Sequence, residues 1–211
     1  MKRWITILLA PCLLAGCGTK PISEAKQEAY HRWHHTRAQV VCEVAAEQLR
    51  VGQLDLAGSK VREALALDGE YLPARILLGK VLLEKGEYII ASAQLTELAG
   101  DVPESAEIHY LLGAALEKEG RLDEALNSYR RSHQLDEKNP APVAAVGEVL
   151  VALDRLEEAQ LYMESYITPA ASEPTLHELA GRVAMMRCQY EKAATYYEQA
   201  ADIDRRNVKY R

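Results

Sequence analysis

The chain has 211 residues, of which 48% are hydrophobic and 27% charged, so it can bury a core and still present a hydrated surface. Its formal net charge at pH 7 is −6, and an acidic chain gains little by neutralising phosphates. The charge therefore argues against nucleic acid as a partner and against broad adhesion to anionic lipid headgroups, so membrane attachment would need another cause.

Residues 1–16 have the pattern of a secretory signal peptide. Lys2 and Arg3 supply two positive charges, and an apolar run follows them as far as Ala15. That run is shorter than the roughly 20 residues that a membrane-spanning helix needs. The segment is therefore predicted to direct export and not to form a transmembrane helix of the mature protein.

The end of this segment, Leu14-Ala15-Gly16-Cys17, resembles the lipobox of bacterial lipoproteins. The resemblance implies that Cys17 carries a diacylglyceryl group, that the signal is cleaved before it, and that the new amine is acylated. Several acyl chains would suffice for stable anchoring. Gly18, in place of the Asp that often retains such proteins at the inner membrane, favours the periplasmic face of the outer membrane. The alternatives are an uncleaved anchor or an ordinary secretory signal with a coincidental cysteine.

Residues 17–37 are interpreted as the lipidated cysteine, a linker and a candidate capping helix. His31, His34 and His35 lie close together here, and the first and last are four residues apart, on one face of a helix. No nearby Cys, and no Glu in an HExxH arrangement, completes a zinc site. We therefore predict no metal and no cofactor, and an enzyme that uses these histidines remains only the third functional hypothesis.

Small residues recur at a constant interval of 34 through the rest of the chain. This is the period of the tetratricopeptide repeat (TPR), a helix-turn-helix unit. The unit at 106–139 resembles the family pattern most closely, with Leu112-Gly113, Gly120, Ala125 and Tyr129. The residues that carry the interval are Gly79, Gly113, Gly147 and Gly181, together with Ala57, Ala91, Ala125, Ala159 and Ala193.

The resemblance implies an all-α fold, a right-handed superhelical solenoid in which helix A of each unit packs on helix B. Since one repeat cannot bury its apolar face alone, the units should fold as one stack. Glycine and proline residues interrupt the helical pattern at regular intervals, which argues against a coiled coil. We predict five TPR repeats over 38–207, followed by a tail at 208–211; the repeats are 38–71, 72–105, 106–139, 140–173 and 174–207.

The turn between helices A and B is expected to use a left-handed residue. Gly52, Gly86 and Gly120 suit that conformation, because glycine has no Cβ. Asp154 and Cys188 replace glycine in the last two units. Asp tolerates a positive φ better than Cys, so the fifth turn is predicted to differ.

Capping residues predict where several A helices begin. Thr36 and Gln39 have the spacing of a capping box, and so do Asp101 and Glu104. In the fourth unit Asn139 is a favourable N-cap that is followed by Pro140 in the first turn. Pro174 lies early in its helix for the same reason.

Cys42 and Cys188 remain in the chain after the signal is removed. They belong to the first and fifth repeats, which a stack of helices about 10 Å apart separates by tens of ångströms. A disulfide needs Cα atoms within about 7 Å. We predict two free and largely buried thiols.

The resemblance implies that the A helices line a concave groove that binds peptides or proteins. The Lys and Asn residues of the chaperone-type carboxylate clamp are missing, so capture of a C-terminal peptide is disfavoured. No nucleophile elbow, P-loop or dinucleotide motif is present, and we predict no catalytic residues. The predicted groove residues are Ile76, Lys80, Leu83, Tyr110, Glu148, Val151, Arg182 and Met185.

The array stops without the extra helix that usually covers the last repeat. Tyr196, Tyr197 and Ile203 would then have little to cover them. Either this end is polar enough to be tolerated, or it pairs with a partner or with a second copy of the chain.

A lipobox before a TPR array resembles the outer-membrane lipoproteins of type IV and Flp pilus biogenesis, which help a secretin multimer to insert. The leading hypothesis is therefore a membrane-anchored scaffold that assists assembly of an envelope complex. The alternative is an adaptor for cell-wall hydrolases or for a periplasmic protease.

Overall fold

The computed structural model of the protein describes residues 22–167 and 173–209, with side chains as far as residue 205. The signal segment, Cys17 and residues 210–211 of the predicted tail lie outside these ranges. Within them the chain forms ten helices and no strand, which confirms the predicted all-α class. The helices are α1 Ile22–Arg50, α2 Leu54–Leu67, α3 Leu72–Glu84, α4 Tyr88–Asp101, α5 Ala106–Lys118, α6 Leu122–Leu135, α7 Ala141–Ala152, α8 Leu156–Tyr166, α9 Pro174–Met186 and α10 Tyr190–Lys209.

The helices pair in sequence to form five helical hairpins, as the repeat pattern predicts. Each helix packs on the next along the chain, and the B helices begin at a constant 34-residue interval, from Leu54 of α2 to Tyr190 of α10. Apolar side chains from successive hairpins form two buried clusters, one from Ala38 to Val81 and the other from Leu82 to Val183, and the half-buried Leu78 packs against both. The alanines at the repeating position of helix B, of which Ala125 is the central one, are essentially inaccessible to solvent.

The repeating glycines of helix A accommodate a large side chain from helix B. A Cβ atom on Gly113 would lie 2.7 Å from the Tyr129 ring, and one on Gly181 would lie 2.9 Å from the Tyr197 ring. The contact is between the backbone of helix A and a side chain, which fills the space that the missing methyl group leaves.

All five turns between helices A and B contain a left-handed residue. Gly120 has φ +79°, while Asp154 and Cys188 both have φ +59°. The prediction that the fifth turn differs is wrong. The backbone explains this: Cys188 N donates to Met185 O at 2.9 Å, and the next amide, Gln189 N, donates to Ala184 O at 2.8 Å, as the equivalent amides do in the other turns. These hydrogen bonds give the fifth turn the same backbone conformation as the other four, whichever side chain it carries.

The first helix is longer than predicted. α1 runs for 29 residues without a break, so the candidate capping helix and helix A of the first repeat are one element. The proposed capping box at Thr36 is wrong, because its hydroxyl donates to Arg32 O at 2.9 Å inside the helix. No Gly or Pro interrupts Ile22–Arg50, and a helix continues where nothing stops it.

Three other predicted helix starts have different outcomes. The capping box at Asp101 is wrong: Asp101 ends α4, and Ser105 is the N-cap of α5, with its hydroxyl accepting from the amide of Ile108. The N-cap of α7 is Pro140, one residue after the predicted Asn139, but Asn139 Oδ1 accepts from Ala141 N at 3.0 Å and so stabilises the start of the helix. Pro174 is the first residue of α9, as predicted.

Candidate partner-binding groove

The A helices form the inner layer of the array. The backbones of α1 and α3 approach each other closely, as do those of α3 and α5, and of α7 and α9. Among the described residues, neighbouring B helices make no comparably close backbone approach and are joined by long side chains, such as Glu164 of α8 and Tyr196 of α10. In a curved stack the layer whose helices approach one another is the concave one. The predicted groove residues all lie on this inner layer, on α3, α5, α7 and α9.

The apolar residues of the predicted groove differ in exposure. Ile76, Leu83, Tyr110 and Val151 are half-buried and pack against the hydrophobic core, so each has only one side free for a ligand. Met185 is 46% exposed and offers a flexible, polarizable side chain. The surface is therefore an apolar floor that is rigid in the middle and more adaptable near the fifth repeat.

A cleft of about 430 Å³ opens between the first three repeats. Two of the predicted residues, Lys80 and Leu83, line it together with Leu49, Glu84 and Leu111. Its walls are aliphatic and its rim carries one charge of each sign. Such a cleft suits an apolar side chain whose neighbours are polar.

Each of the two predicted cations of the groove is paired with a carboxylate on the A helix of an adjacent repeat. Lys80 Nζ lies 2.6 Å from Glu107 Oε1. Arg182 Nη1 donates to Glu148 Oε1 at 3.0 Å, and Arg182 Nη2 to Glu148 Oε2 at 2.7 Å. This bidentate contact raises the pKa of Arg182 above its usual value. A charged ligand must therefore exchange with an existing partner.

An aromatic pair forms the centre of the groove. The rings of Tyr110 and Tyr129 lie 5.4 Å apart, and the Tyr129 hydroxyl donates to Glu117 Oε2 at 2.8 Å. Burial, reinforced by that hydrogen bond, raises the pKa of Tyr129 well above its ordinary value, so the hydroxyl remains a donor. Tyr110 thus rests on a fixed neighbour and presents a rigid ring.

Sequence reasoning did not name two residues of this region, Leu111 and Glu107, whereas Leu49 lies at a repeat position that commonly faces ligands. Leu49 and Leu111 form walls of the cleft, and Glu107 holds Lys80. Leu111 and Glu107 belong to the repeat that follows Lys80. Their contacts depend on how neighbouring repeats are rotated.

The three N-terminal histidines have separate environments on α1. His35 Nδ1 lies 2.6 Å from Asp68 Oδ2, with its ring edge-on to Tyr71. His34 lies between the rings of Tyr30 and Trp33. In the part of the chain that the structure describes, His, Cys, Asp and Glu side chains form no group of three or more that could hold a metal ion.

Both cysteines within the described ranges, Cys42 and Cys188, are free, but only Cys42 is buried. Cys42 lies in the core of the first repeat, where burial, followed by the charge of Glu43, raises the pKa of its thiol. The prediction that both thiols are buried is wrong for Cys188. Cys188 occupies the left-handed turn before α10, where its side chain points away from the packed helices and is exposed.

The last helix is better covered than expected. Ile203 is 5% exposed, so its predicted exposure at the end of the array is wrong. α10 turns its apolar face towards α9, and the Tyr196 hydroxyl donates to Glu164 Oε1 at 3.0 Å. Tyr197 is 39% exposed and lies against Gly181. This favours the alternative in which the end of the array is tolerated in water.

Two family profiles, both described as tetratricopeptide repeat, match residues 76–140 and 116–183. Together they span about half of the chain. The protein belongs to the tetratricopeptide-repeat family. A stretch of 101 residues, 48% of this chain, is 31% identical in sequence to the Arabidopsis thaliana cell division cycle protein 27 homolog B. The match covers only 14% of the length of that protein.

Solved TPR structures share the fold at low identity. MamA is 19% identical, with a TM-score of 0.69 over 79% of this chain and 97% of MamA. PilF of Pseudomonas aeruginosa is also 19% identical, with a TM-score of 0.70 over 80% of this chain and 77% of PilF. YrrB, described as a TPR protein with an unusual peptide-binding site, is 22% identical, with a TM-score of 0.63 over 87% of this chain and 92% of YrrB. None of the described helices is both long and apolar enough to cross a bilayer.

Proposed function

We propose that this TPR protein is a non-catalytic scaffold, anchored to the periplasmic face of the outer membrane through lipid on Cys17, that binds segments of protein partners in its concave groove. Its task is to assist assembly of an envelope complex such as a pilus or secretin machine. The groove would accept an extended or helical segment with an apolar side chain flanked by charged residues.

The cleft between the first three repeats is the observation that carries this proposal. Leu49, Leu83 and Leu111 supply apolar walls, and Lys80 and Glu84 supply one charge of each sign at the rim. An apolar side chain that enters the cleft gains roughly 1.5–3 kcal/mol from burial. The flanking charges would then select among segments by exchange with the Lys80–Glu107 pair.

Two similarities support the envelope role. The lipobox-like sequence before Cys17 provides a means of attachment. PilF, a pilus-related member of the same family, has the same fold over four fifths of this chain. The peptide-binding site named for YrrB supports peptide capture as the activity of the groove.

Site-specific photo-crosslinking in the native envelope tests the groove. In one variant a photoreactive residue replaces Glu84, which lines the cleft. In a second variant the same photoreactive residue replaces Glu63 on α2. We expect position 84 to crosslink to one or a few envelope proteins that mass spectrometry identifies, because, of the two labelled positions, only position 84 lines the cleft. Position 63, in the outer layer, should not give those adducts.

A matched pair of charge reversals provides the control. Lys80 and Lys60 are similarly exposed, at 40% and 42%, and each pairs with one Glu, at 2.6 and 2.8 Å. Lys80→Glu should abolish the adducts from position 84, and Lys60→Glu should leave them unchanged. Equal crosslinking from positions 84 and 63, or adducts that survive Lys80→Glu, would reject the groove as the binding surface.

A further inference from the structure

The helix that begins the array leaves uncovered a face that every later A helix buries. Ile108 of α5 and Val146 of α7 are fully buried, because helix B of the preceding repeat covers them. The equivalent positions of α1 are Val40 and Val44, which are 56% and 43% exposed. No repeat precedes α1 in the described chain, yet these positions have kept apolar side chains.

The uncovered face extends along most of α1 as a regular stripe. Its members alternate at spacings of three and four residues, the pattern by which one helix packs along another. Trp33 and Val51, at its two ends, are 54% and 50% exposed. The α1 stripe comprises Trp33, Arg37, Val40, Val44 and Glu47 of α1, together with Val51, which directly follows the helix and whose amide donates to Glu47 O at 3.1 Å.

The α1 stripe is complementary to itself when it is reversed. In an antiparallel pair related by a two-fold axis at the level of residue 42, Val40 of one helix faces Val44 of the other. Arg37 then faces Glu47, and Trp33 faces Val51, and each contact occurs twice. An isologous two-fold interface requires this self-complementarity, in which residue i meets j and j meets i.

We propose that the α1 stripe is the interface with a second copy of this chain, joined through antiparallel α1 helices. The overlap from residue 33 to residue 51 is about 28 Å long at the rise of an α-helix. The partner's α1 would then cover this face of the first repeat as helix B of a preceding repeat covers the later ones. The dimer depends on α1 alone, so it can be right or wrong independently of the groove.

Charge distinguishes this arrangement from the other ways of covering α1. A parallel pair would place Arg37 beside Arg37 and Glu47 beside Glu47, which repel each other. A head-to-tail stack on α10 would need an extended apolar face at that end, but Ile203 is buried and the exposed positions beside it, Ala201, Asp202, Asp204 and Arg205, are small or charged. The antiparallel pair is the arrangement in which both the valines and the charges of the stripe match.

The charged members of the stripe are placed to accept this partner. The Arg37 guanidinium carbon lies 5.4 Å from the centre of the Trp33 ring, so it is held against the stripe. Glu47 accepts two hydrogen bonds from Arg50, at 2.7 and 2.8 Å. In the dimer the partner's guanidinium would join that carboxylate, so no charge would be buried without a counter-charge.

Sedimentation equilibrium of the full-length chain in density-matched detergent tests the dimer. The wild-type chain should have the mass of two copies at micromolar concentration. Arg37→Glu and Glu47→Arg should each raise the dimer dissociation constant by about tenfold or more, because each places like charges together twice. The double variant Arg37→Glu/Glu47→Arg restores opposite charges and should dimerise to within a few-fold of wild type.

Controls separate the interface from the fold. Arg32→Glu makes the same charge change on α1, outside the stripe, and should not alter the mass. Thermal unfolding identifies any variant that fails to fold, and Val40→Asp, which adds a charge to the apolar centre, provides a second test. A wild-type chain that remains monomeric at about 100 μM would overturn the proposal. The proposal would also be wrong if the charge reversals had no effect or if the double variant did not restore dimerisation. Masses that grow beyond a dimer, or a monomer that binds phospholipid vesicles through the stripe, would likewise contradict it.

Discussion

At the residue scale, Gly113 shows how one missing methyl group organises a whole repeat. Its Cα lies under the Tyr129 ring, and that ring in turn supports Tyr110 in the groove. The Tyr129 hydroxyl reaches Glu117 on the same helix as the glycine. The glycine therefore connects the packing of α5 and α6 to the geometry of the proposed groove.

Gly113→Ala is expected to destabilise the protein by about 1–3 kcal/mol. The added Cβ would lie 2.7 Å from Cδ1 of Tyr129, so the buried ring must move. Gly100→Ala is the matched control: it lies in α4 with no atom within 4 Å of the new Cβ, and alanine favours the helix. Urea unfolding should show a loss for Gly113→Ala only; equal midpoints for the two variants would contradict the close contact.

The sequence predicts the small residues of the core because they recur at a fixed interval, which no local propensity produces. It does not predict the fifth turn. Cys188 is a poor candidate for φ +59° when it is considered alone, but its conformation follows from hydrogen bonds donated by two successive amides to helix α9. Backbone closure set by neighbouring helices overrides the preference of a single side chain.

At the scale of elements, Glu164 joins the last two repeats. Its Oε1 accepts from Gln160 Nε2 at 2.7 Å and from the Tyr196 hydroxyl at 3.0 Å, and Lys192 Nζ lies 3.3 Å away. Gln160 Oε1 also accepts from Arg187 Nη1 at 2.6 Å. The network fastens α8 to α10 and to the turn that precedes it.

This network predicts a pH-dependent stability. The hydrogen bond from Gln160, followed by those from Tyr196 and Lys192, holds the pKa of Glu164 below its usual value of 4.5. Its contribution is therefore present above about pH 4.5 and is lost as the pH falls through the lower, folded value. Glu164→Gln should lower the free energy of unfolding at pH 7 by on the order of 1 kcal/mol.

Urea unfolding at several pH values checks this prediction. The difference between wild type and Glu164→Gln should shrink as the pH falls below 4.5, because the wild-type carboxylate becomes protonated. Glu137→Gln, at an exposed position after α6, is the control and should show no such trend. A difference that stays constant from pH 7 to about pH 3 would argue against a role for the ionised carboxylate.

Helix boundaries were predictable where a proline or a turn glycine marks them and were wrong where they depended on a capping pattern. Thr36 has the correct spacing for a capping box, yet nothing before it stops a helix, so α1 continues through it. At the start of α5 the serine that caps the helix lies four residues beyond the predicted Asp101. Local patterns cannot decide between neighbouring polar residues when only the packed structure determines which carbonyls and amides remain unpaired.

At the scale of the whole molecule, attachment to the membrane is expected to depend on Cys17. Cells that express the chain should incorporate labelled palmitate into it, and Cys17→Ser should abolish the label, because the thiol is the expected site of the first lipid. Cys12→Ser, within the signal segment, is the matched control and should retain it. Label that persists in Cys17→Ser would reject the lipoprotein assignment.

The predicted groove residues share one layer of the molecule, but sequence alone did not show how they are engaged. The side chain of Arg182 is 52% exposed, as an inner-layer position suggests, yet it is committed to Glu148 one repeat away. The cleft similarly depends on Leu49 and Leu111 from flanking repeats. Positions within a repeat follow from the period, whereas contacts between repeats depend on their relative rotation.

The constant 34-residue spacing of the B helices has a consequence for how such a chain can change over generations. Each junction between repeats has the same form, since helix B of one unit always meets helix A of the next. A duplication or deletion in the gene that spans one whole unit therefore creates no junction of a new type. The length of the inner layer of A helices can vary in discrete steps, while α1 and α10 keep their distinct ends.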